Sequence, residues 1–430
     1  MNCLSIIIAY FLCVSIPSNN SLSVDWATFN YEKNISLVEI YYSCPYSILQ
    51  YTVHSDTIIA PYQITFYLRS IDGADSLKET SNRRAIIQSF ETAQRRDMKL
   101  LDGFGFFARP GRYWFNLTVT ESLPICTYTD TIEVPEFSRS PVLSNIELAS
   151  SVKIDSSGGK FTKGNMKIVP NPELIFGQAY ELIYAYIEGY NLNNDTLNYE
   201  LTYKILSKEK SVVKSFPSEI KQKTGTNFAY TFALSTKGLI PGEYFLQLVL
   251  KDQSSKNQDS LLKAFTVVKS NSESLYQQSY SPFTDTSSYY TEIKYLASQS
   301  ELNQYNSLKE SGKKQYLKRF WMQHDYNEFV KRIKYADEKY KSVHTFGRLS
   351  DRGKIYIKYG PPDEVMIHSM SENTKAHEHW YYYSKGFHFI FIDIRNNNTF
   401  PLIYSNNDIE PKNPDWQKYI DPLELEELNE

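Results

Sequence analysis

The sequence predicts a multidomain chain: two all-β, Ig-like sandwich-type domains, then an α+β module of helices followed by an antiparallel β-meander. Three observations lead there. Runs of β-branched and aromatic residues of strand length recur from Leu37 to Val268. A Pro-Gly turn feeding a Tyr-led strand occurs twice, at Pro110-Gly111-Arg112-Tyr113 and at Pro241-Gly242-Glu243-Tyr244, 131 residues apart (241 − 110). From Tyr289 onward the apolar spacing changes from period two to the helical period.

Size and composition agree. A chain of 430 residues exceeds what one hydrophobic core organises well, so several domains are expected. Hydrophobic content of 41% and charged content of 22% are those of a soluble globular protein. The net charge of −3 gives no support for a nucleic-acid partner. Tyr is abundant, with 35 residues, and its apolar face with a wet hydroxyl suits half-buried strands.

Residues 1–20 read as a signal peptide. Leu4 to Ile16 is almost continuously apolar but too short to span a bilayer, and Pro17 with a polar stretch follows. The bulky Leu12 before Cys13 argues against a lipid anchor on that thiol. Export is therefore expected: periplasmic, associated with the outer membrane, or secreted. No later segment has the length of a transmembrane helix, and peripheral membrane association is compatible with this reading. The mature part keeps Cys44 and Cys126, a disulfide candidate in an oxidising compartment, with two free thiols as the alternative.

Residues 21–137 form the first expected β-domain. Its strands include Leu37–Tyr42, Ile64–Leu68 and the alternating Tyr113, Phe115, Leu117, Val119, with a short helix or loop expected in the polar stretch 81–99. Residues 141–269 form the second, with strands at 180–187, 197–206, 227–234, 245–249 and 261–268. A Ser/Thr-rich linker covers 270–288. In the module, 289–407, Ser298 and Glu301 have capping-box spacing, and Gly312 is expected to break the helix that follows. Phe329, Ile333, Ala336 and Tyr340 form one helical stripe. Three meander strands are expected at 354–359, 380–383 and 387–392. Residues 408–430 form an acidic tail.

The module carries a series of motifs: Phe320-Trp321 with Asp325, then the Arg332–Tyr340 helix, then Ser350-Asp351-Arg352-Gly353-Lys354-Ile355-Tyr356-Ile357 running to Gly360-Pro361-Pro362-Asp363-Glu364, then Glu378 with Trp380, then Phe387–Asp393. In order and content these resemble the GWxTD domain, a bacterial exported family of unknown function. The naming motif stands here as Gly347-Arg348-Leu349-Ser350-Asp351, with Arg348 in the place of Trp. The resemblance implies export and bacterial origin, and no reaction.

For chemistry, two sets stand out. Asp351, Asp363 and Glu378 are carboxylates that could share acid–base work in an extracytoplasmic hydrolase. The competing reading makes Asp351 a turn cap and pairs Arg352 with Asp363 or Glu378. His377 and His379, two apart in a strand, would point to one side and could bind a metal, but neither metal nor another cofactor is expected. The sequence contains no P-loop, G-x-S-x-G or Cys–His nucleophile pattern. The preferred function is a binding or scaffold protein acting on other envelope proteins, with the hydrolase as the alternative.

Overall fold

The structure is a computed structural model and describes residues 22–54, 57–94, 98–155, 158–177, 182–268, 288–342, 345–368, 375–410 and 413–419. The expected signal peptide, the expected linker up to residue 287 and the acidic end beyond Tyr419 lie outside the described residues. The chain is mostly β, in several sheets with few helices. It divides into two compact units, Met1–Ser138 and Arg139–Glu430.

The first unit contains β1 (Ser23–Glu32), β2 (Ile35–Pro45), β3 (Thr52–His54), β4 (Thr57–Ser70), β5 (Ser76–Ile87), α1 (Phe90–Gln94), β6 (Lys99–Ala108), β7 (Gly111–Thr120) and β8 (Pro124–Val134). Strands β1-β2-β6 form one sheet; β3-β4-β7-β8, with β5 on β4, form another. Alternation decides which side chains meet. Val38, Ile40 and Tyr42 of β2 share a core with Ile64 and Phe66 of β4 and with Phe115, Leu117 and Val119 of β7. The polar stretch 81–99 begins as the end of β5, which pairs with β4 at a sheet edge and so tolerates charged side chains, and then holds the short helix α1. Cys44 and Cys126 come from different sheets into the same core, and both are free thiols.

The second unit begins with β9 (Val142–Leu143), β10 (Glu147–Ile154), β11 (Thr162–Lys163), β12 (Met166–Pro170), β13 (Ile175–Phe176), β14 (Leu182–Tyr190), β15 (Asn198–Ser207) and β16 (Val212–Ser215). It continues with β17 (Glu219–Gln222), β18 (Phe228–Ser235), β19 (Gly242–Asp252) and β20 (Gln258–Val267). Helices α2 (Gln299–Ser307), α3 (Glu310–Gln323), α4 (Tyr326–Lys339) and α5 (Asp351–Tyr359) follow. Strands β21 (Glu364–His368), β22 (His377–Tyr382), β23 (Phe387–Ile392) and β24 (Leu402–Ser405) close it.

Here β13-β20-β19-β15-β16, with β17 on β15, make one sheet. The other runs β11-β12-β10-β14-β18-β21-β22-β23-β24, with β9 on β14. The join is the antiparallel pairing of β18 with β21, from Thr231 opposite Ile367 to Leu234 opposite Glu364. Ser235 N–H donates to Asp363 O at 3.0 Å at one end. Thr231 Oγ1 donates to Ile367 O at 2.9 Å at the other. Of the strands expected in a second sandwich, β14 and β18 therefore share a sheet with the C-terminal meander strands β21–β24, while β15, β19 and β20 belong to the other sheet.

The repeated Pro-Gly turn closes the same way in both units. Tyr113 Oη donates to Arg109 O at 3.0 Å, and Tyr244 Oη donates to Ile240 O at 2.7 Å, each four residues upstream.

Two expectations need correction. Lys354–Tyr359, expected as a strand, lies in α5. Its Ile and Tyr content favours a strand, but the N-terminal cap prevails: Ser350 Oγ accepts from Gly353 N–H at 3.0 Å, and Gly360, at φ 85°, ends the helix. Gly312 does not break a helix; it lies in the first turn of α3, and the chain breaks just before, at the extended Leu308 and Lys309. The capping box at Ser298 and Glu301 forms as the spacing predicts. Phe329, Ile333, Ala336 and Tyr340 are all buried.

Candidate functional site

The motif-bearing segment is built on two close backbone approaches. A side-chain carbon on Gly347 would lie 1.8 Å from Ala336 O, on α4. One on Gly353 would lie 1.9 Å from Gly347 O. Both positions exclude any side chain, so α4, the 347–349 turn and α5 are locked at backbone distance. Ser350 Oγ serves twice, accepting from Gly353 N–H and donating to Gly347 O at 2.7 Å. Arg348 fills the place of the family aromatic by charge and stacking. Its backbone N–H donates to Asp337 Oδ1 at 2.9 Å, its Nε to Asp337 Oδ2 at 2.7 Å, and its guanidinium lies 4.9 Å from the Tyr289 ring centre.

The expected carboxylate set does not gather around one opening. Asp351 Oδ2 accepts from Leu402 N–H at 3.0 Å, tying α5 to β24, and its Oδ1 accepts from Lys354. Glu378 takes Arg352 Nη1 at 2.6 Å on one oxygen and Trp380 Nε1 at 2.9 Å on the other. The Arg352 guanidinium also stacks on Phe400, 4.1 Å from the ring centre. Asp363 stands at the β18–β21 join, and its backbone N–H donates to Tyr381 O at 2.8 Å. A cavity of about 50 Å³ adjoins the Arg352–Glu378 pair, lined also by Lys153, Lys339 and Trp380. That is room for water rather than for a substrate. Burial there, then the charge of Lys153, pushes the Lys339 ammonium down to about 8.

The other motif residues are placed by packing. Trp321 Nε1 donates to Tyr290 O at 2.9 Å, and the Phe320 ring stacks on His324. Asp325 caps α4 by accepting from Glu328 N–H at 2.9 Å. Gly360 lies against the Arg332 guanidinium and accepts from Tyr382 Oη at 2.8 Å, and Pro362 is buried in the turn that follows. Trp380 is 1% exposed, with Tyr340 and Phe391 at its faces.

The opposite face of the meander carries a polar interior that the sequence did not reveal. Tyr203 Oη, from β15, lies within hydrogen-bond reach of both Glu219 Oε1 and Glu364 Oε1. Tyr230 Oη donates to Glu219 Oε2 at 2.5 Å, and Tyr383 Oη to Glu364 Oε2. Glu364 is 1% exposed, and burial, then the charge of Glu219, raises its carboxyl to about 7.

Farther along the same face lie four histidines. His377 and His379 point to one side of β22, as their spacing predicts. The register sets His368 of β21 directly opposite His377, and their rings stack with centres 4.4 Å apart. His388 of β23 completes the row, its Nε2 lying 3.3 Å from His379 Nδ1. Neither Tyr203 with Glu219 nor His368 was legible as a partner, because their meeting depends on pairings between distant strands. The signal for His368 was present only in the hairpin register that places it across from His377.

Residues 261–421, less than half of the chain, match the GWxTD domain. No curated protein matches the sequence. Among solved structures, a red sea bream transglutaminase is similar at 9% identity over 59% of this chain and 32% of its own, with a TM-score of 0.17. A calcium-binding mutant of Bacteroides uniformis beta-glucuronidase 2 is similar at 11% identity over 57% of this chain and 32% of its own, with a TM-score of 0.18. A Bacteroides uniformis beta-glucuronidase is similar at 12% identity over 55% and 27%, with a TM-score of 0.19. The chain thus spans about a third of the solved proteins it resembles.

Proposed function

We propose that this chain, a GWxTD domain-containing protein, is an exported binding or scaffold protein of the bacterial envelope or its surroundings. One observation carries the reading. The polar residues of the motif, Ser350, Asp351, Arg352 and Glu378, are spent on joining α5 to the 347–349 turn, to β24 and to β22. Groups so engaged hold a shape, and a rigid shape is what a docking module needs. Phe346, just before the turn, and Leu349, its last residue, are 69% and 45% exposed and offer apolar area to a partner.

Export rests on the apolar run Leu4–Ile16, and among the described residues no helix is long and apolar enough to cross a membrane. The finer fold reading, Ig-like sandwiches in both units, is supported by the matching tyrosine hydrogen bonds at Tyr113 and Tyr244. The hydrolase alternative has weaker support, since Asp351 bonds to Leu402 away from the cavity that Glu378 lines, and that cavity is of water size.

The test is affinity capture of the mature protein from its native envelope, with Phe346→Asp and Leu349→Asp as comparison. A defined envelope protein retained by the wild type and lost by the variant supports the reading. Recovery from the cytosol with Met1 intact removes it.

A further inference from the structure

We propose that His368, His377 and His379 form a binding site for a divalent transition metal that prefers imidazole nitrogen, with zinc as the natural choice and cobalt as a faithful probe. The three come from two adjacent strands, and each offers one ring nitrogen such that all three atoms lie within 4.8 Å of one another. An ion among three atoms at that outer spacing would stand about 2.8 Å from each, and small rotations of the rings bring this to the 2.0–2.1 Å of a zinc–nitrogen bond.

The neighbours have the arrangement such ligands need. His377 Nδ1 lies 2.7 Å from Lys375 O, so it carries the proton and the lone pair of the neutral ring is on Nε2. His379 Nδ1 faces His388 Nε2 at 3.3 Å, and Tyr381 Oη lies 3.4 Å away. The His388 contact turns the Nδ1 side of His379 toward β23 and the Nε2 side away from it. His388 is then a positioning residue for His379, and the Tyr381 ring stacks on it at 4.3 Å.

Burial adds a second argument. His377 is 2% and His379 5% exposed. Packing alone does not call for imidazole in such a place, because Phe or Leu would fill the same volume without desolvating ring nitrogens. Neutral imidazole is the form that binds a metal ion. Three neutral ligands leave the ion's charge uncompensated, so the remaining position suits water, hydroxide or an anionic group. This revises the expectation of no metal, which weighed His377 and His379 with Asp363 or Glu364 nearby; the register supplies His368 as the third ligand instead.

The experiment uses the full mature chain, stripped with chelator and titrated with cobalt chloride, then with zinc chloride. The expected result is one cobalt per chain, visible d–d absorption, and loss of that absorption as zinc displaces cobalt. The double variant His377→Ala/His379→Ala should lower affinity by more than about 100-fold, beyond the 10–100-fold typical of outer-shell partners. His388→Phe should fall within that smaller range, and His324→Ala should bind as wild type does. Should the double variant fail to fold, His368→Gln, a change at the half-buried rim, gives the same reading. Absence of cobalt absorption in the wild type, or stoichiometric binding that survives His368→Gln and the double variant, overturns the site.

Discussion

Arg352 Nη1 lies 2.6 Å from Glu378 Oε1, which makes the second residue of a helix the anchor of a strand 26 positions later. Both side chains are largely withdrawn from water, at 12% and 13% exposure. Truncating one leaves the other charge without its partner in a poorly solvated place. Arg352→Ala is therefore expected to destabilise the second unit by about 3 kcal/mol, somewhat less for Arg352→Lys, read as a lowered midpoint in denaturant unfolding. A double-mutant cycle with Glu378→Gln should recover a coupling of about 1–3 kcal/mol. Independence of the two substitutions would contradict the bridge.

Gly347→Ala and Gly353→Ala should be worse than any polar substitution in the segment. A methyl carbon would stand 1.8 Å and 1.9 Å from carbonyl oxygens of the backbone, which cannot swing aside. Each is expected to cost more than about 3 kcal/mol, or to abolish soluble expression of the chain. Wild-type stability in either variant would mean that the close contact between α4, the turn and α5 is not made in solution.

The buried Glu364 carboxyl gives a pH signature. Its pKa is raised to about 7, from burial first and then from the Glu219 charge, with Lys221 acting in the opposite sense. It is surrounded by Tyr203, Tyr383 and Glu219, and Lys214 also lies within its field. A raised carboxyl favours the protonated form in the folded state. Its contribution is thus fully present below the unfolded value near 4.5 and is lost as pH rises through about 7. Glu364→Gln, which stays neutral, should match wild type near pH 4.5 and exceed it by up to about 3 kcal/mol above pH 7.5. Parallel stability curves for the two proteins across this range would argue against the raised Glu364 carboxyl.

Cys44 and Cys126 are free thiols in the first unit's core, and burial pushes them up to about 12 and about 11 respectively. A thiol held protonated is a poor nucleophile. Both should resist a thiol reagent in the native protein and react fully on unfolding in denaturant without reductant. Zero reactive thiols in the unfolded chain would show that the two are bridged instead.

How much of this was legible without coordinates differs from element to element. The alternation Tyr113, Phe115, Leu117, Val119 placed one strand face correctly, since side chains two apart in a strand share a side and apolar ones turn inward. The helical stripe from Phe329 to Tyr340 and the capping box at Ser298 and Glu301 were equally plain, because each is a local pattern within one element. The order of motifs also identified the C-terminal family.

The tertiary structure decided what depends on partners far along the chain. The segment Lys354–Tyr359 has strand composition, yet the Ser350 cap and the backbone contacts at Gly347 and Gly353 make it helical. The pairing of β18 with β21 joins residues 130 to 136 positions apart (364 − 234, 367 − 231), and no local spacing encodes which sheet edge a meander will extend. That one pairing places Glu364 within reach of Tyr203, while the adjoining β21–β22 register sets His368 across from His377. Sequence supplied the chemical groups and their local faces; their convergence came from hydrogen-bond register between strands, which is satisfied only when the whole sheet assembles.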